Sequence, residues 1–155
     1  MELFKQVYGF NYLLSISLTG WLVAQVLKTL INGLFLGKFS LERMWGSGGM
    51  PSSHSATVCS LVVAAARLYG PDSAIFALAF IMAIIVMYDA MGVRRETGEQ
   101  AKILNRMLTD WMEAESANSP FLGDKKLKEM VGHTPFEVLG GAIVGVAVGW
   151  LIPII

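Results

Sequence analysis

The sequence predicts an all-α fold: an integral membrane helical bundle of about four transmembrane helices, with one further amphipathic helix at the membrane interface. Composition is the first observation behind this. Of 155 residues, 54% are hydrophobic and only 15% are charged, against roughly 25% charged in an average soluble domain. A soluble chain of about 150 residues buries only ~70% of the surface its unfolded form exposes, too little to hide so much apolar side chain. The second observation is that the apolar residues gather into stretches near the ~20 helical residues a hydrocarbon core requires. These are Phe10 to Leu27, Pro51 to Tyr69, Ser73 to Met91, and Pro135 to Ile155. The third is charge: 12 Lys plus Arg balance 12 Asp plus Glu, so no net field attracts nucleic acid, and no nucleic-acid partner is expected.

Taken in order, the first stretch has only Lys5 upstream and no small-residue cleavage pattern after Lys28, so it is expected to stay as a membrane helix. It continues through Thr29 to Asn32 before Gly33 and Gly37 weaken it, which places Lys28 near one membrane surface. Gly70-Pro71-Asp72 is a tight reversal that makes the second and third helices antiparallel neighbours. After Met91, Gly92 to Gly98 reads as a connector. From Glu99 to Glu115, Ile103, Met107 and Trp111 recur every four residues among polar ones, the pattern of an amphipathic helix on the membrane or the bundle. Ala117 to Gly123 reads as a loop, and Asp124 to Met130 as a charged helical turn. The lone Cys59 excludes an internal disulfide and multi-cysteine zinc patterns, and packing explains it. Without repeats or low-complexity tracts, residues 1–155 form one membrane-embedded domain.

Alternating spans put the C-terminal ends of the first and third helices beside the N-terminal ends of the second and fourth. The chemically unusual residues all lie at those ends: Lys28, then Pro51-Ser52-Ser53-His54, then Asp89 through Arg95, then His133-Thr134-Pro135-Phe136-Glu137. Both histidines of the chain fall on this face, each at a helix N-terminus. Two such termini with free N–H groups, joined by Lys28, Arg94 and Arg95, make an anion site, for which phosphate is the natural occupant.

Each motif also has a plainer reading. Thr134 to Glu137 has capping-box spacing with Pro135 at the first helical position, and Ser52 and Ser53 suit an ordinary helix start. Arg94 and Arg95 suit topology anchors. Asp89, just inside a span, needs a partner, and Arg94 or Arg95 is the nearest candidate. Joint occurrence on one face favours the functional reading.

At these residues the chain resembles the divergent branch of the type 2 phosphatidic acid phosphatases, also described as acid phosphatase/vanadium-dependent haloperoxidase-related membrane proteins. The resemblance rests on Gly48 to Ala56, on Tyr88 to Arg95 with Gly98, Gln100, Ala101 and Asn105, and on Gly132 to Val138, together with Lys28. In the wider superfamily a Pro-Ser-Gly-His motif is matched here by Pro51-Ser52-Ser53-His54. The His and Asp of a second motif are matched by His133 and Glu137. The resemblance implies that His133 is a nucleophile, Glu137 its orienting carboxylate and His54 the general acid, within a metal-independent histidine phosphatase that uses no cofactor. Lys28, Ser52, Ser53, Arg94 and Arg95 would bind phosphate, with Asp89 in support. The superfamily's Lys-x6-Arg-Pro motif is missing, and Leu127 stands where its phosphate-binding Arg would precede His133 by six residues.

The expected function is therefore hydrolysis of a phosphate monoester or pyrophosphate, on a lipid, through a phosphohistidine. The alternatives are a non-catalytic membrane module that binds an anionic headgroup or a partner, and a small serine hydrolase using Ser52 or Ser53. Membrane lipids are the expected surroundings, and short spans leave room for a homodimer. All 12 basic residues except Lys5 and Arg67 lie on the motif-bearing face, so by the positive-inside rule the site is expected to face the cytoplasm, in a bacterial cytoplasmic membrane.

Overall fold

A computed structural model describes residues 8–36, 49–114, 127–129 and 131–154. The predicted loop from Ala117 to Gly123 lies outside them. The described residues form helices α1 (Tyr12–Leu36), α2 (Ser53–Tyr69), α3 (Ala74–Met91), α4 (Val93–Ala114) and α5 (Pro135–Leu151), and no strand occurs among them.

Local chemistry sets most of the boundaries. Ser52 caps α2, its hydroxyl accepting from the Ser55 amide, and Gly70 closes that helix at a positive φ of 86°. Ser73 then caps α3 through the Phe76 amide at 3.2 Å, so the predicted reversal at Gly70 to Asp72 is present. Thr134 caps α5 with Pro135 in its first turn, and α5 ends at Leu151, short of the expected Ile155.

Three expectations are corrected. Helix α1 passes through Gly33 and reaches Leu36, because a single interior glycine costs only about 1 kcal/mol relative to alanine. Helix α4 starts at Val93 and absorbs the expected connector. Its Gly98 is no breaker but a contact point, where an added Cβ would lie 2.6 Å from the Glu129 carbonyl oxygen and 2.8 Å from that of Val131. Finally, residues 127–129 are not helical; the rest of the expected turn from Asp124 to Met130 lies outside the described residues.

Tyr12–Leu34 and Ala74–Asp110 are the described stretches long and apolar enough to cross a membrane. The α2 and α5 helices have 17 residues each, about 25 Å of axis at 1.5 Å per residue, a little less than a ~30 Å hydrocarbon core. Helix α2 is central and packs against α1, α3 and α5. That contact is close because small residues face it. On α5, Gly141, Gly145 and Gly149 recur every four residues, and a Cβ at Gly145 would collide with the Ala56 backbone. On α1, Gly20 lies against Ala56 and Ser60 in the same way. The core is correspondingly rich in alanine (Ala24, Ala56, Ala64, Ala65, Ala79, Ala83), while Leu18, Leu22, Leu78, Ile81, Ile85 and Ile143 point outward. Small residues between helices and large apolar ones outside are what lipid-facing bundles require.

At the end of the bundle away from the histidines, Arg67 of α2 donates to the carbonyls of Gly149, Trp150 and Ile152 at the C-terminus of α5. It lies over the Trp150 ring at 5.5 Å, while the Tyr12 hydroxyl donates to the same Ile152 carbonyl at 3.1 Å. These contacts close the orphan carbonyls of α5.

Candidate active site

The topology brings the N-termini of α2 and α5 together, and main-chain hydrogen bonds lock them. The Ser52 amide donates to the Glu137 carbonyl at 2.9 Å, and the His133 amide donates to the Ala90 carbonyl at the end of α3, also at 2.9 Å. Between them Gly132 has φ +86°, and an added Cβ would strike the Arg94–Arg95 backbone. Only glycine fits that corner. It turns the chain so that His133, its side chain 1% exposed, enters the bundle.

His133 Nδ1 lies 3.1 Å from Glu137 Oε2. The same oxygen accepts from the Thr134 amide at 3.0 Å, while Thr134 Oγ1 accepts from the Glu137 amide. The capping box is real, and it coexists with the histidine contact: one carboxylate oxygen closes the helix end and holds the ring. With Nδ1 engaged, Nε2 is left buried and without a hydrogen-bond partner among the described residues. Burial favours the neutral imidazole and pushes the His133 pKa below its ordinary value; the hydrogen bond and charge of Glu137 pull it back in part.

The His54 ring stands 5.8 Å from the His133 ring, centroid to centroid, at 65° between planes. Its Nδ1 is also buried without a partner. Lys28, 1% exposed, reaches the same place from α1, and its Nζ makes no hydrogen bond among the described residues. Both histidines feel the charges of Lys28 and Arg94. Arg94 is tied to Asp89 through Nε and Oδ2 at 2.5 Å, which settles the choice of partner for Asp89. Arg95 instead lines an open cleft with Gly49, Lys102, Gly132, His133 and Glu137.

Lys28, His54, His133, Glu137, Arg94 and Asp89 thus share one neighbourhood. Ser52 is fully buried, with its hydroxyl and amide both in main-chain contacts. Neither it nor Ser53 bonds to His133 Nε2 or His54 Nδ1. Leu127, at the position where the resemblance would have an arginine, is 45% exposed. Among the described residues no group of three His, Cys, Asp or Glu side chains is clustered as a metal ion would need.

Sequence reasoning missed the supports of this site. Asn105 of α4 bonds to Leu127 and Glu129, and the Ala90 carbonyl holds His133. The presence of Gly98, Ala101 and Asn105 on one helical face was the available signal.

A sequence profile of the family described as "Divergent PAP2 family" matches residues 10–148. The uncharacterized membrane protein YuiD of Bacillus subtilis is 40% identical over 142 residues, which cover 88% of this chain and 90% of YuiD. No solved structure matches the chain.

Proposed function

The chain belongs to the divergent PAP2 family, and from that premise we propose that it is a membrane phosphatase acting on a phosphate monoester or pyrophosphate carried by a lipid. The observation that carries this reading is the His133 imidazole, fastened at Nδ1 by Glu137, bare at Nε2 and faced by His54. An imidazole attacks through one nitrogen when the other N–H is held.

In the first step His133 Nε2 forms a bond to phosphorus as the bond to the leaving oxygen breaks, and His54 gives that oxygen a proton. The Nδ1 proton stays on the ring and faces the Glu137 carboxylate. In the second, water attacks phosphorus, His54 takes its proton, and the P–N bond breaks to release phosphate. Lys28, Arg94 and Arg95, with the helix N-terminus at Ser52 and Ser53, supply positive potential to the transferring group. The α2 and α5 helices complete a bundle of four spans, with α4 at the interface and the site on the cytoplasmic side of a bacterial membrane. The outward leucines and isoleucines suit that placement, as does the distribution of basic residues.

Phosphate release by the purified protein from a panel of lipid phosphates and pyrophosphates is the test. Turnover inhibited by vanadate, which adopts the five-coordinate shape of the transition state, is the expected result. Exposed Leu127 in the place of an arginine favours a second reading, a module that binds phosphate headgroups without hydrolysing them. Saturable binding to phosphatidate vesicles with no phosphate released would establish that alternative.

A further inference from the structure

We propose that Asn105 is a positioning residue for the nucleophile, a clip on α4 that fixes the irregular segment leading into His133. The inference rests on the proposed function, because it assigns a support to the same site. A segment without secondary structure must find partners for its backbone groups elsewhere. For Leu127 a single side chain supplies both. Asn105 Oδ1 accepts from the Leu127 amide at 2.9 Å, and Nδ2 donates to the Leu127 carbonyl at 2.9 Å. The second Nδ2 proton goes to Glu129 Oε1 at 2.7 Å. Both donor protons and one acceptor lone pair are thereby used, and the residue is only 8% exposed.

The clip acts on His133 because the described residues between them are held against α4. Gly98, two helical turns before Asn105, lets Glu129 and Val131 approach the α4 backbone, and Gly132 is pressed against Arg94 and Arg95. His133 itself is fastened to Ala90. Leu127, Glu129 and Val131 are thus held against α4 at Gly98 and Asn105, and a displacement at Leu127 is passed toward the histidine. A nucleophile misplaced by about 1 Å can lose 10²-fold in rate. No atom of Asn105 needs to touch substrate for this.

The test compares Asn105→Ala and Asn105→Asp with Arg106→Gln, an exposed position on the same helix. Asn105→Asp keeps the acceptor for the Leu127 amide, so it carries the test if Asn105→Ala does not fold. Expected is a fall in kcat of about tenfold or more with KM within a factor of two and a folded protein, whereas Arg106→Gln leaves both unchanged. A loss of activity no larger than the loss of folded protein, with the remainder turning over normally, would overturn the proposal.

A second readout does not depend on turnover: the rate at which diethyl pyrocarbonate modifies His133, followed by mass spectrometry against pH. The charged groups facing that ring are Glu137 on its own segment, His54 on α2, Lys28 on α1 and Arg94 at the α3–α4 corner. Loosening the clip should hydrate the ring, speed its modification and move its titration up toward the ordinary histidine range. An unchanged profile in the Asn105 variants refutes the clip. Wild-type protein that releases no phosphate but shows the shifted profile in the variants refutes only the phosphatase reading.

Discussion

The two ends of the bundle each hold a cation, half-buried at one and buried at the other, and treat it in opposite ways. Arg67 at one end has its guanidinium on three carbonyls of α5 and over an aromatic ring. Lys28 at the other end is more deeply buried, yet its ammonium has no hydrogen bond among the described residues, and His54 Nδ1 and His133 Nε2 beside it have none either. Unsatisfied buried polar groups cost free energy. One end satisfies its polar groups; the other leaves three such groups without hydrogen bonds among the described residues. The difference is what the proposed phosphatase reading would require of the histidine end.

The largest effect expected at the unsatisfied end is from His133→Ala. It should abolish turnover and remove an acid-labile, base-stable phosphate trapped on the wild-type protein. Equal labelling of the two proteins would show that the orphaned imidazole is not the nucleophile.

Exchanging the two cations for methionine sharpens the comparison most directly. Lys28→Met should eliminate most activity while leaving thermal stability in detergent unchanged or raised, since it removes a buried charge that has no hydrogen bond among the described residues. Arg67→Met should do the reverse: it strands carbonyls at the end of α5, costs about 1–3 kcal/mol, and leaves the turnover of folded molecules intact. Lys28→Met that unfolds the protein would erase the distinction.

Glu137→Gln separates the two duties of one side chain. Glutamine still closes a capping box, so stability should hold, but a neutral amide stabilises the imidazolium poorly and kcat should fall by about 10²-fold. A matched loss of stability and activity would mean that the carboxylate serves the helix end alone.

Acidity should act in the same direction on both properties. The folded pKa of His133 lies below its unfolded value of 6.5, so the folded state binds fewer protons in the window between them. The contribution of this residue to stability is complete above pH 6.5 and declines as pH falls through the window. The nucleophile is lost over the same range, giving kcat/KM an acid limb below pH 6.5 that His54 does not abolish when replaced by glutamine. The smallest effect belongs to Asp89→Asn. Its pair with Arg94 is more than a third exposed on both sides, so stability should change by less than about 1 kcal/mol, while turnover drops a few-fold as Arg94 loses its tether.

Which parts of this were legible in the sequence follows from the range of the interactions. Caps and turns are local, so Ser52 and Thr134 announced the starts of α2 and α5, the reversal at Gly70-Pro71-Asp72 that of α3, and alternation of the helices was enough to place His54, His133 and Lys28 together. The α4 helix was misjudged because Gly98 reads as a breaker until its neighbour across 31 residues, the Glu129 backbone, is seen. The segment at 127–129 looked helical from its charges, but its main-chain partners come from Asn105, 22 residues away. No local pattern encodes such a bond.

The glycine row on α5 has a consequence for how the sequence can drift over generations. At Gly149 an added methyl meets Val63 Cβ and Cγ1, 2.7 and 2.9 Å away; turning the valine about χ1 moves Cγ1 but not Cβ, so part of the overlap stays. At Gly145 and Gly141 it meets the backbone carbonyls of Ala56 and Ser52, which cannot step aside without moving α2. The overlap deepens turn by turn toward Glu137, and an alanine scan along this one helix face would read as a gradient, costly at the arginine end and most costly at the histidine end.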